Sequence, residues 1–213
     1  MVLYLYRPWE IYLMNPTRRK PNTKEKLYIL VEGMGDKKLL ENLFANKNNH
    51  ENCIQTHFDI VFINVEGVDN IIYKLIEFKR TFIHSNVFIF IDLDDKGKQR
   101  VEEILRKLNK KGVKKFLKTS DIFFVNPIIE YLYVLGKDFK NPKFYFKHQY
   151  KPLIRRLFGI DNYCSSEAQI NIMIKQLKED KFNTFLINVT KIESSKETLP
   201  SSNINELIKR IKK

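Results

Sequence analysis

A chain of 213 residues, 43% apolar and carrying 16 Phe and 10 Tyr, has the size and content of one α/β domain, or of such a domain with an appendage. Its two cysteines, Cys53 and Cys164, lie far apart with no CxxC spacing, which argues against a zinc ribbon or a disulfide framework and fits a reducing compartment. No apolar run approaches bilayer length, so a cytoplasmic protein with no membrane partner is expected, and the net charge of +13 either suits a polyanionic partner or reflects compositional drift in a chain rich in Lys, Asn and Ile.

The first segment, residues 1–26, reads as a basic arm. Its opening apolar stretch is broken by Arg7, Pro8 and Glu10 and makes a poor signal peptide. Translation starting at Met14 is the simpler expectation, with Arg18, Arg19 and Lys20 then close to the N-terminus.

From residue 27 to 125, apolar runs with the character of buried strands alternate with amphipathic runs, the pattern of βαβ units and a parallel sheet. Leu27–Val31 is predicted as a strand, and Asp36 to Ala45 as a helix with Leu39, Leu40, Leu43 and Phe44 on one face. Phe58–Val65 is the second strand, followed at Gly67 by a helix with Ile71, Ile72, Leu75, Ile76 and Phe78 in register. Val87–Ile91 is the third, followed by a helix over Gln99–Asn109. Asp121–Val125 reads as the fourth, with Val113–Leu117 competing for that place.

Beyond Asn126-Pro127 the pattern turns mostly helical, so residues 126–213 are expected to form a helical extension. Its helices are predicted near Ile128–Leu135, Tyr150–Phe158 and Ser165–Lys178 and after Pro200, with Phe185–Val189 as a short edge strand.

The chemistry is concentrated at strand ends. The first strand delivers Glu32, with Asp36 four residues on in the turn that opens a helix, and the third delivers Asp92, Asp94 and Asp95. Open α/β sheets hold their ligands at the carboxyl ends of their strands. If the two strands are neighbours these acids converge, and a cation has to neutralise them, most simply Mg²⁺ or Mn²⁺. On this reading, removing one acid leaves the metal-free protein no less stable. Asp95 reads equally as a cap for the following helix. Glu130 reads either as a further ligand or as a charge at a helix N-terminus. Glu66 and Asp69 read as capping residues.

Glu32-Gly33 with Asp36, the glycine turn after the second strand, and Asp92-Leu-Asp94 with Gly97 after the third resemble the Toprim domain of topoisomerases, bacterial primases, RecR-type repair proteins and OLD-type nucleases. The Glu-Gly-x-x-Asp form, together with Asn126-Pro127-Ile-Ile-Glu130, is similar to small OLD-like and RloB-like proteins, many of them associated with phage defence. The chain departs from topoisomerases in lacking their additional domains, from replicative primases in lacking their zinc-binding part, and from full-length OLD nucleases in lacking a Walker A loop.

The resemblance implies a Toprim-like (Rossmann-like) parallel sheet flanked by helices. It implies a catalytic set of Glu32, Asp92 and Asp94 and a metal set of Glu32, Asp36, Asp92, Asp94 and, through the second motif, Glu130. The expected function is a Mg²⁺-dependent nuclease acting on DNA or RNA. The alternatives are a primase-like nucleotidyltransferase and a non-catalytic RecR-like nucleic-acid-binding protein. Whether a partner ATPase takes part is left open.

Two basic segments are candidate nucleic-acid faces. Arg106–Lys118 carries seven cations and no acid but trails a helix, where a solvated face is the plainer role. Lys137–Lys151, continuing to Arg155 and Arg156, interleaves cations with aromatic rings, the mixture that backbone phosphates and bases require. Lys143, Lys147, Lys151, Arg155 and Arg156 are the expected contacts.

Overall fold

A computed structural model of the chain describes residues 24–44, 53–81, 86–112, 117–137 and 146–212. The basic arm, as far as residue 23, lies outside the described residues, as do Lys143 and the competing strand over 113–116.

The elements run β1 (Lys26–Val31), α1 (Met34–Leu43), β2 (Asp59–Asn64), α2 (Val68–Thr81), β3 (Asn86–Asp92), α3 (Lys98–Lys110), β4 (Ile122–Asn126), α4 (Glu130–Lys137), α5 (Tyr150–Phe158), α6 (Glu167–Thr190), β5 (Ser201–Ser202) and α7 (Ile204–Ile211). The sheet order is β2-β1-β3-β4-β5. β1 pairs in parallel with both β2 and β3, β3 pairs in parallel with β4, and β5 closes the far edge antiparallel to β4. The protein is therefore α/β, with a mostly parallel five-stranded sheet flanked by helices.

Strand alternation divides the core in two. Leu27, Ile29, Val31, Phe88, Phe90, Phe123 and Val125 face α1, α4, α5, α6 and α7. Tyr28, Leu30, Ile89, Ile91, Ile122 and Phe124 face α2 and α3. Apolar residues on both faces are what a parallel strand covered on two sides requires, which is why these runs read as continuous.

The structure corrects the sequence reading in the last third. Phe185–Val189 is not an edge strand but the continuation of α6, which runs unbroken from Glu167 to Thr190. Phe182, Phe185 and Val189, buried at helical spacing, hold it against the core. The edge strand is Ser201–Ser202, too short and polar to show a strand pattern. Asn203 completes that edge: its side-chain oxygen accepts from the Phe124 N–H at 2.6 Å and its amide donates to the Ile122 carbonyl at 3.2 Å. Residues 126–212 thus supply α4 to α7 and also the strand that finishes the sheet.

Candidate functional site

The ladder register sets the geometry of the acids. Val31 stands opposite Phe90, so Glu32 emerges one step beyond, beside the end of β3, while Asp92 stands opposite Val125. The alternation that puts Phe88 and Phe90 on the α1/α4 side carries Asp92 to that side, toward Asp36 at the start of α1 and Glu130 at the start of α4. Glu32 follows the opposite parity and meets Arg100 from the first turn of α3, whose Nη2 donates to Oε1 at 2.6 Å. The same guanidinium lies 3.3 Å from Asp94 Oδ2 through Nη1.

The expected acids thus fall into two adjoining sets, Asp36, Asp92 and Glu130 on one side and Glu32 and Asp94 around Arg100 on the other. Asp95 is exposed, in a 3₁₀ turn over Asp94–Lys96. Asp69 pairs with Lys107 at 2.5 Å, away from the cluster.

Local backbone chemistry places each group. Gly33 is the N-cap of α1, and its N–H donates to Asp36 Oδ2 at 2.8 Å, half of a capping box. A Cβ at Gly33 would stand 3.3 Å from that oxygen, so glycine lets the turn close on the carboxylate. Gly97, the N-cap of α3, has φ 52° and ψ −131°, a region that side chains avoid, and a Cβ there would stand 3.0 Å from the Lys196 carbonyl. Asn126, at the end of β4, donates its amide to the Lys196 and Thr198 carbonyls at 3.1 and 3.0 Å and so fastens the 194–198 loop beside the site. Tyr133 Oη donates to the Gly35 carbonyl at 3.1 Å, pinning α4 to the start of α1. Glu130 Oε1 accepts two hydrogen bonds at 3.0 Å each, from Tyr163 Oη and Ser165 Oγ.

The electrostatics are those of acids gathered out of water. Asp36 is 3% exposed; burial, then the charges of Glu32 and Glu130, push its carboxyl up to about 8 against the lowering bond from Gly33. Asp92 is raised well above the usual carboxylate range by burial first, then by Asp36, Glu130, Glu32 and Asp94. Burial, followed by the Glu130 charge, also raises the Tyr163 hydroxyl far above its ordinary value, so it stays protonated as a donor. Glu32 Oε2, Asp36 Oδ1 and Asp92 Oδ1 are buried without a hydrogen-bond partner. Among the described residues no group of three or more His, Cys, Asp or Glu side chains is placed so that it could hold a metal ion.

Arg100, Tyr163 and Ser165 are site residues that the sequence does not reveal. Arg100 sits in a run of charged residues on α3, and the other two sit in a loop with no motif, so no pattern singles them out. Of the expected nucleic-acid contacts, Lys151, Arg155 and Arg156 are exposed on α5, and Arg155 is paired with Asp161 at 2.6 Å. Lys147 lies in a 3₁₀ turn just before α5. In the same turn region the exposed Phe146 ring lies nearly parallel to His148 with centroids 5.9 Å apart. No helix among the described residues is long and apolar enough to cross a membrane.

A family model described as a protein of unknown function, DUF3226, matches residues 26–130, a segment that starts with β1 and ends on Glu130 and so holds all five acids. No curated protein and no solved structure matches the chain.

Proposed function

We propose that the chain is a Toprim-like, Mg²⁺-dependent nuclease, with Mn²⁺ able to substitute, that hydrolyses phosphodiester bonds in DNA or RNA. The observation that carries the reading is the set of buried, unpartnered oxygens on Glu32, Asp36 and Asp92. Burying carboxylate oxygens without partners costs several kcal/mol by order of magnitude, and a hard cation is the partner that best offsets it. The donor set fits such an ion: oxygen ligands on three elements, with Glu130 oriented beside them by Tyr163 and Ser165. Asp36, Asp92 and Glu130 would hold the ion, and Glu32 and Asp94, paired with Arg100 in the metal-free chain, would complete its ligands.

A divalent ion there supplies Lewis-acid stabilisation of a phosphoryl oxygen and a water acidic enough to attack. The chain's own part is to keep Glu130 fixed through two donated hydrogen bonds and to draw a polyanion toward α5 with Lys151, Arg155 and Arg156. The likeness to OLD-like and RloB-like proteins extends the proposal to phage defence in the cytoplasm, with a partner ATPase as a further component.

Cleavage of end-labelled DNA and RNA by the purified protein, in Mg²⁺ or Mn²⁺ against EDTA, tests the reading. Metal-dependent cutting lost in Asp92→Asn supports it; tight binding without cutting in any metal sinks it. One observation favours the second reading, a RecR-like binding protein without turnover: Arg100 already neutralises part of the cluster. Incorporation of labelled nucleoside triphosphates would instead indicate the primase-like alternative.

A further inference from the structure

Arg100 is 9% exposed and stands between two carboxylates, 2.6 Å from Glu32 Oε1 and 3.3 Å from Asp94 Oδ2. Its Nε is buried with no hydrogen-bond partner, so the guanidinium meets the two acids through its terminal nitrogens alone. An arginine carries five N–H donors and no acceptor, and a carboxylate can take two of them side by side. This one is held by a charge-assisted hydrogen bond to Glu32 and an ion pair with Asp94. It also lies on the side of the cluster from which Glu32 must turn if Glu32 and Asp92 are to share one cation, because the two acids leave β1 and β3 with opposite parity.

We propose that Arg100 is a tethered counter-ion of the acidic cluster, which a divalent cation must displace from Glu32 and Asp94 before the site is loaded. This deepens the metal-dependent reading above and rests on it. In the metal-free protein the guanidinium limits the repulsion among five acids that the fold has brought together. When a divalent ion arrives, the same guanidinium becomes a like charge beside it, and Glu32 is released only as Arg100 swings away. The arginine therefore sets the metal concentration at which the cluster fills, and it does so without touching Asp36, Asp92 or Glu130.

The experiment is calorimetric titration of Mn²⁺ into wild type, Arg100→Gln and Arg100→Lys, with melting temperatures in EDTA and in excess Mn²⁺. Removing a positive charge a few ångströms from a divalent ion should tighten Mn²⁺ binding by about tenfold or more in Arg100→Gln, while Arg100→Lys, which keeps the charge, stays near wild type. In EDTA the Gln variant should melt below wild type, and excess Mn²⁺ should close the gap. A second measurement needs no folded Gln variant: the ¹⁵Nε–H resonance of Arg100 in wild type, assigned by its loss in Arg100→Lys, should shift on Mg²⁺ addition.

Wild type that binds Mn²⁺ with an unmoved Arg100 resonance, or a Gln variant that binds no more tightly, overturns the counter-ion role and leaves the metal reading standing. Failure of every variant to bind Mn²⁺ overturns both.

Discussion

Tyr163 donates its hydroxyl to Glu130 Oε1 at 3.0 Å across a sequence separation of 33, from the loop that joins α5 to α6. The helix that offers exposed cations is thus tied through its own C-terminal loop to the carboxylate on the α4 side of the cluster. Tyr163→Phe keeps the ring and removes the bond. A hydrogen bond to a charged group contributes about 1.5 to 3 kcal/mol, so a drop of that order in chemical-denaturation stability is expected. Glu130→Gln keeps an oxygen to accept both bonds and removes a charge, so its melting temperature in EDTA should rise while the number of bound Mn²⁺ ions falls. An unchanged stoichiometry would reduce Glu130 to a helix-end charge.

Glu32 and Asp92 should respond in opposite directions when neutralised. Asp92 has a buried unpartnered oxygen and acidic neighbours that hold its carboxyl well above the usual range, so in alkaline buffer, where that group is driven to ionise, Asp92→Asn should raise the melting temperature of the metal-free protein. Glu32 is the nearer partner of a buried guanidinium, so Glu32→Gln should cost about 2 to 4 kcal/mol, since it leaves that charge half-paired. Equal shifts of one sign would mean that Arg100 does not distinguish the two acids. The sequence suggests that either acid can be removed harmlessly; the ion pair makes Glu32 the exception.

The acidic side also fixes a pH dependence. Asp36 has its carboxyl raised from 3.8 to about 8, so between those values the folded protein holds a proton that the unfolded chain has released. Stability from this group is therefore complete below pH 3.8 and is lost as pH rises through about 8. In EDTA the urea midpoint of wild type should fall on going from mildly acidic to alkaline buffer, and Asp36→Asn, whose amide oxygen can keep the Gly33 bond, should flatten that fall. A wild-type midpoint that rises over the same range would refute the assignment.

The cations of α5 are not equivalent. Arg155 is already engaged by Asp161, whereas Lys151 and Arg156 are exposed. The double change Lys151→Glu and Arg156→Glu should weaken oligonucleotide binding and lower the log–log salt slope by about 0.7 to 0.9 for each phosphate no longer neutralised. Arg155→Glu should do less per charge. Filter binding across a salt series measures both, and an unaltered slope would move the interface to Arg106–Lys118.

Packing between α4 and α6 gives a test independent of the site. A Cβ on Gly136 would come 2.3 Å from Leu177 Cδ2 and 3.1 Å from Phe185 Cδ2. Gly136→Ala should therefore destabilise by about 1 to 3 kcal/mol, as overpacked cores do, measured by denaturant unfolding.

The parallel strands and their acids are legible in the sequence because a strand buried on both faces has to be apolar along its length, and the first polar residues after it mark its end. Glu32, Asp92 and Asp94 announce themselves in that way. The second half of α6 is not legible, because Phe185-Leu-Ile-Asn-Val189 has the aromatic and branched composition of a strand, and only its packing shows the 182, 185, 189 spacing in use. β5 is invisible for the opposite reason, since two serines carry no pattern and their place is fixed by hydrogen bonds to β4. Arg100 depends on which face of β1 Glu32 leaves, a matter of parity at a strand end that composition does not encode.

Asn203 stands in for a strand, presenting to β4 the acceptor and donor that a neighbouring backbone would offer, and it does so from a position 79 residues later than Phe124. On the ribosome β4 is therefore finished long before the residues that cover its border, and the apolar run Ile122–Val125 waits with open backbone groups, the condition under which chains pair with the wrong neighbour. A shortened version cut to isolate the acid-bearing sheet would inherit that exposed border permanently. To keep that border covered, it has to retain Ser201, Ser202 and Asn203, although none of the three touches the acids.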